Sequence, residues 1–115
     1  MKQAGSIALM PFPYTDLSAS KRRPVLLLRH LDQRHDDWLV CMISSQLRQV
    51  HPELDWVLTP ESPEFEATGL KVASAFRMSR LAVLEGRLLL GQMGCISETR
   101  LQALKQQFAG WLLSS

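Results

Sequence analysis

A mainly β (α+β) domain, a small barrel closed by one C-terminal amphipathic helix, is what this chain predicts. Three observations carry that reading. Short apolar runs alternate with turn-forming and charged residues, as in Ser6–Met10, Val25–Leu28 and Trp38–Ile43. Only the last stretch repeats its apolar residues at helical spacing. And 115 residues suffice for one core but not for two, so residues 1–115 read as a single domain.

Ser6-Ile7-Ala8-Leu9-Met10 reads as a first strand, stopped by Pro11 and Pro13. Tyr14 to Arg23 is a polar loop. Val25-Leu26-Leu27-Leu28, introduced by Pro24, is too short for a helix and reads as a buried central strand. His30 to Asp37 is a charged turn. Trp38 to Ile43 is the next buried strand, ending at Ser44-Ser45-Gln46 and forming an antiparallel hairpin with the strand before it.

From Leu47 to Pro63 the pairs His51-Pro52, Thr59-Pro60 and Ser62-Pro63 mark irregular backbone, with Asp55 to Leu58 as an edge strand. Phe65 to Leu70 reads as one helical turn ending at Gly69. Lys71 to Met78 is extended, with Val72, Ser74, Phe76 and Met78 on one side and Lys71, Ala73, Ala75 and Arg77 on the other. Arg87 to Gln92 reads as a further strand, closed by Gly91 and Gly94. The final helix places Leu101, Leu104, Phe108, Trp111 and Leu112 on one face. Ser97 is its N-cap, Ile96 and Leu101 form a hydrophobic staple, and Glu98 favours the first turn. Trp38 and Trp111 are read as core, and Trp56 as an edge-strand or dimer-contact residue.

Composition excludes several classes. With 46% hydrophobic and 21% charged residues the chain is folded rather than disordered. A net charge of +2 permits a nucleic-acid partner without predicting one, because clustering matters more than the sum. Cys41 and Cys95 sit in apolar stretches and read as two buried, reduced thiols rather than a disulfide or metal pair. Met1 to Pro13 holds no apolar stretch long enough for a signal peptide, and no run approaches a membrane span, so a cytoplasmic location is expected. Gly-rich phosphate loops, Cys-x-x-Cys pairs, His-Glu-x-x-His and Gly-x-Ser-x-Gly are all missing from the sequence. His30, His35 and His51 fall in turns and read as solvated, so neither a metal nor a cofactor is expected.

The informative motif is Lys21-Arg22-Arg23-Pro24 at the mouth of a buried strand. Proline holds the residue before it extended, so Arg23 has a defined backbone where the loop enters the sheet. Lys21 and Arg22 add a positive field suited to a phosphodiester. In a hairpin the start of one strand and the end of the next share a sheet edge, which brings Ser44 within reach of Arg23. A guanidinium beside a hydroxyl suits a phosphate in transition, since both donate hydrogen bonds to its non-bridging oxygens. Taken singly, the basic loop also reads as solvating charge and Ser44 as a strand-end turn bond.

These residues also carry a resemblance. Gly5 to Leu9, Phe12 to Ser18, Arg22 to Leu28, Ile43 to Gln46, Gly69 to Leu81 and Gly94 to Ser97 resemble, in order, the MazF/PemK family of toxin endoribonucleases. The resemblance implies an SH3-like barrel of the MazF–CcdB type, a homodimer, and metal-independent cleavage of single-stranded RNA to a 2′,3′-cyclic phosphate and a 5′-hydroxyl. By position, Arg23 matches the family's catalytic arginine, Ser44 its catalytic Ser/Thr and Arg77 a further functional arginine. Ser79 stands where an acidic residue often follows, and Ser18 and Ser20 lie in a loop where many relatives carry a glutamate.

Lys21, Arg22, Arg77 and Tyr14 are the expected RNA-binding residues, Tyr14 by stacking on a base. The resemblance also implies a cognate antitoxin, with DNA contacted only through it. Two other functions fit the same barrel: a non-catalytic toxin or binding module acting on a protein such as DNA gyrase, and a degenerate nucleic-acid-binding relative.

Overall fold

The computed structural model describes residues 2–11, 22–32 and 34–114. Its strands are β1 (Ser6–Pro11), β2 (Arg22–His30), β3 (Asp37–Ser44), β4 (Trp56–Leu58), β5 (Ser74–Glu85) and β6 (Gln92–Cys95), followed by helix α1 (Glu98–Leu113). They form one curled six-stranded sheet in the order β4-β5-β3-β2-β1-β6, with every pairing antiparallel. This is the mainly β architecture with a terminal helix that the sequence predicts.

Val25 to Leu28 shows why an unbroken apolar run forms a strand here. Leu26 and Leu28 pack into one core with Ile7, Cys41, Ile43, Phe76 and Met78, which α1 covers through Leu101 and Leu104. Val25 and Leu27 point the other way, into a second core with Ala8, Met10, Trp38, Val40 and Leu84. A strand buried on both faces needs apolar residues at every position, because successive side chains alternate between them. Each fully buried Leu or Val contributes about 1.5–3 kcal/mol.

Helix α1 begins as expected. The Ser97 side chain accepts a hydrogen bond from Arg100 N at 3.0 Å, and Ile96 and Leu101 share the first core. Its C-terminal half departs from expectation: Trp111 is 38% exposed and Leu112 60%. The apolar stripe outruns the sheet that would cover it, so Trp111 is a surface residue rather than core. Trp38 is core, and Trp56 lies on edge strand β4.

Two strand expectations need correction. β5 runs to Glu85, well beyond Met78. Its pairing with β3 jumps from Met42↔Arg77 to Cys41↔Leu81, and this bulge breaks the alternation that would have revealed the second half. Most of Arg87 to Gln92 is not a strand: Gly86–Leu88 is a 3-10 turn, Leu90 and Gly91 exchange backbone hydrogen bonds with Leu9, and β6 itself begins at Gln92. The cysteines are corrected too. Both are free thiols, Cys41 buried but Cys95 exposed on edge strand β6. Burial pushes the Cys41 thiol up to about 12, so it stays protonated at neutral pH.

Gly69 ends the 3-10 turn Glu66–Thr68 in the left-handed region, at φ 75°, and a side chain there would collide with the Met93 carbonyl of β6. Gly69→Ala therefore meets both backbone strain and a clash, and should lower stability by about 2–4 kcal/mol in urea unfolding.

Candidate functional site

The site is built by strand register. β2 and β3 pair with Val25 opposite Met42 and Leu26 opposite Cys41. Carried two steps further, that register sets Arg23 across from Ser44, at the ~5 Å Cα spacing of opposed antiparallel residues. Pro24, between Arg23 and Val25, has no N–H with which to continue the ladder. Neighbouring strands extend the row, since Arg23 pairs with Met10 of β1 and Ser44 with Ala75 of β5.

Face follows from parity. Arg23 is in step with Val25 and Leu27, and Ser44 with Val40 and Met42, all of which pack in the second core. Both side chains thus leave the same face at the same end of the sheet, Arg23 exposed and Ser44 half-buried. Ser44 Oγ accepts a hydrogen bond from Gln46 N at 3.0 Å. That bond orients the oxygen and does not use the hydroxyl's proton, which leaves the O–H as a donor for an anion.

Arg77, opposite Met42, is the diagonal neighbour of Ser44 on this face. It is only 9% exposed, and its guanidinium is engaged: Nε donates to Asp55 Oδ2 at 3.2 Å and Nη2 to the Gln49 carbonyl at 2.8 Å, with Gln49 Oε1 3.4 Å from Nη1. Asp55 is the hub. Its side chain is fully buried and also accepts from Ser79 N, Ser79 Oγ and His51 N at 2.9–3.1 Å. Burial alone would raise this carboxyl, but hydrogen bonds from the His51 and Ser79 backbones, the Ser79 hydroxyl and Arg77 outweigh it and hold it below the usual carboxylate range. β4 pairs Trp56 with Phe76, so one further step sets Asp55 across from Arg77.

Edge strand β4 is itself clamped. Arg100 of α1 stacks 4.3 Å over the Trp56 ring and makes a two-pronged contact with Glu64, Nε to Oε1 at 3.0 Å and Nη2 to Oε2 at 2.8 Å. The hydrogen bonds from Arg100 hold the Glu64 carboxyl below its ordinary range.

Of the residues singled out from the sequence, Arg22, Arg23 and Ser44 share one sheet end, and Arg77 lies beside Ser44 but faces inward. Tyr14 and Lys21 lie outside the described residues. His30 is at the far end of β2, its ring tilted against Trp38 with centroids 4.8 Å apart, and 3.5 Å from Asp36. Clefts of about 800 and 670 Å³ around Lys2 and Asp36 belong to that far end too. Among the described residues, no group of three or more His, Cys, Asp or Glu gathers as a metal site. Asp55 and Gln49 were not singled out from the sequence: nothing in His51-Pro52-Glu53-Leu54-Asp55 marks a carboxylate that will be buried against an arginine 22 positions away.

Removing Asp55 strands a buried guanidinium, so Asp55→Asn should cost about 3 kcal/mol at pH 7. A carboxyl depressed by folding contributes its full stability above its unfolded pKa, about 4, and loses it as pH falls through the lower folded value. The gap between wild type and Asp55→Asn in urea unfolding should therefore stay constant from pH 7 to about 5 and shrink below about 4.

Comparisons with known proteins bear on the whole chain. The family described as "PemK-like, MazF-like toxin of type II toxin-antitoxin system" matches residues 3–112. Among solved structures, the Mycobacterium tuberculosis toxin MazF-mt6 superposes with a TM-score of 0.64 at 19% identity, over 93% of this chain and 95% of that one. At that identity the likeness speaks for the fold alone. No curated protein matches.

Proposed function

The chain belongs to the family of PemK-like, MazF-like toxins of type II toxin–antitoxin systems, and from that premise we propose that it is an endoribonuclease cutting single-stranded RNA without a metal ion. What supports the reading is the β2–β3 register, which, continued past Val25↔Met42, brings the Arg23 and Ser44 positions opposite each other at one strand end. The family also implies a cognate antitoxin. We extend the reading to a cytoplasmic homodimer that meets DNA only through that antitoxin.

In the proposed reaction the substrate's 2′-oxygen attacks the adjacent phosphorus as the bond from phosphorus to the 5′-oxygen breaks. A 2′,3′-cyclic phosphate and a 5′-hydroxyl result. The proton lost by the 2′-hydroxyl leaves to a base, and one is gained by the departing 5′-oxygen. Arg23 donates to the non-bridging oxygens as negative charge builds on them, and Ser44 adds one donor from its oriented hydroxyl.

The histidines do not suit the role of base. His30 is seven residues along β2 from Arg23, about 23 Å at strand rise. His51 Nδ1 already accepts from Glu53 N at 3.2 Å. Arginine itself holds its proton near neutrality. Arg22 fits a phosphate-contacting role, as do Lys21 and Tyr14 by their sequence positions. Arg77, with its donors engaged by Asp55 and Gln49, fits support of the Ser44 side of the site better than direct contact with RNA.

Purified protein incubated with a long single-stranded RNA and excess EDTA should produce cyclic-phosphate and 5′-hydroxyl ends and leave single-stranded DNA uncut, as DNA lacks the nucleophile. Arg23→Ala should slow cleavage by ~10³-fold and Ser44→Ala by ~10²-fold, with unfolding midpoints close to wild type. Intact RNA after wild-type treatment would overturn the proposal and favour a toxin that acts by binding a protein.

A further inference from the structure

We infer that Asp55 is a positioning residue for the Ser44 side of the site: it locks Arg77, and through Arg77 the segment from Ser44 to His51, onto β5. The inference rests on the endoribonuclease reading for what the segment is held to do, but not for the holding itself.

The fastening can be followed bond by bond. Ser44 is the last residue of β3, held to β5 by its pairing with Ala75. The chain then leaves the sheet through Ser45 and Gln46, makes the short 3-10 turn Leu47–Gln49, and reaches His51. No residue from Ser45 to Gln49 is buried, so packing does little to fix this stretch. Polar attachments do so instead. Gln46 N returns to Ser44 Oγ, the Gln49 carbonyl accepts from Arg77 Nη2, and His51 N donates to Asp55 Oδ2. The second attachment needs a fixed guanidinium, and Asp55 supplies the only carboxylate paired with Arg77 among the described residues.

The chemistry of the hub is exacting. Every group that meets Asp55 in these contacts is a donor: Arg77 Nε, Ser79 N, Ser79 Oγ and His51 N. Both carboxylate oxygens must accept, which an amide cannot match, because one end of the amide is itself a donor. Asp55→Asn keeps the shape yet places an N–H₂ group against at least one N–H. The expected result is an Arg77 released from its orientation, a looser Gln49, and a Ser44 hydroxyl no longer aimed along one direction. An oxygen that must meet a phosphate only as charge builds up depends on aim more than on ground-state binding, so the loss should fall on kcat.

The test joins kinetics to a readout independent of activity. With long single-stranded RNA as the probe, Asp55→Asn should lower kcat by ~30-fold or more with KM within ~3-fold of wild type, and should cause no further loss when introduced into Ser44→Ala. Amide hydrogen exchange at pH 7 should accelerate by ~10-fold or more at Gln46 and His51 through local opening that is insensitive to low urea, while amides of Leu26 and Cys41 accelerate by no more than the measured loss of global stability accounts for. Equal kcat losses in the wild-type and Ser44→Ala backgrounds, or unchanged exchange at Gln46 and His51, would overturn the inference. Should Asp55→Asn fail to fold, Ser79→Ala removes one donor to the carboxylate and must shift the same two readouts in the same direction, by ~3-fold or more; wild-type values there would overturn it equally. If wild type cuts no RNA, the endoribonuclease reading fails by itself, and exchange alone then decides whether Asp55 fastens the segment.

Discussion

β2 and β3 bury both of their faces, and that constraint shapes the rest of the molecule. With Leu26, Leu28, Cys41 and Ile43 filling one core and Val25, Leu27, Trp38 and Val40 the other, the middle of the hairpin has no room for polar chemistry. Charged and hydroxyl side chains are admitted only where the strands emerge. At one end these are Arg22, Arg23 and Ser44; at the other, Arg29, His30 and Asp37. Register then decides which of them meet, and antiparallel pairing brings the start of β2 to the end of β3. The juxtaposition is a consequence of core packing, because slipping the register by one residue would turn Arg23 and Ser44 to opposite faces along with every Leu and Val around them.

The two arginines near Ser44 show how burial divides labour. Arg23 is an exposed residue at a strand mouth. Arg77 is buried, and a buried cation is tolerable only with an anion and further acceptors to satisfy its N–H groups. Asp55 and Gln49 supply them. One arginine thus stands at the surface, while the other is held inside by its acceptors.

What was legible in the sequence follows the same physics. The first three strands, the Gly69 turn, the edge strand at Trp56 and the Ser97 cap were readable because each depends on local signals, namely apolar runs, proline stops and capping residues. The second half of β5 was not, because the bulge after Arg77 puts Ser79 and Arg80 out of phase with Leu81 to Leu84. Arg87–Gln92 looked like a strand because Leu88, Leu89 and Leu90 are contiguous, yet the chain there is turning from β5 toward the far edge of the sheet, where β6 pairs with β1. Local apolarity suggests that Trp111 and Cys95 lie inside, and only the extent of the sheet shows that both are exposed. That the start of β2 lies beside the end of β3 was legible from hairpin logic, whereas the Asp55–Arg77 pairing, which joins β5 to the residue just before β4, was not.

A buried carboxylate so near the proposed phosphate-binding end would ordinarily oppose such binding, since an uncompensated anion repels the ligand through poorly screening protein. Asp55 avoids this by being paired. Its charge is matched by Arg77, and its remaining lone pairs are turned toward Ser79 and the His51 backbone rather than toward the strand end. The Asp55–Arg77 unit is therefore close to neutral seen from outside. The carboxylate can hold the hydroxyl-bearing segment in place without weakening the attraction that would bring a phosphodiester to it.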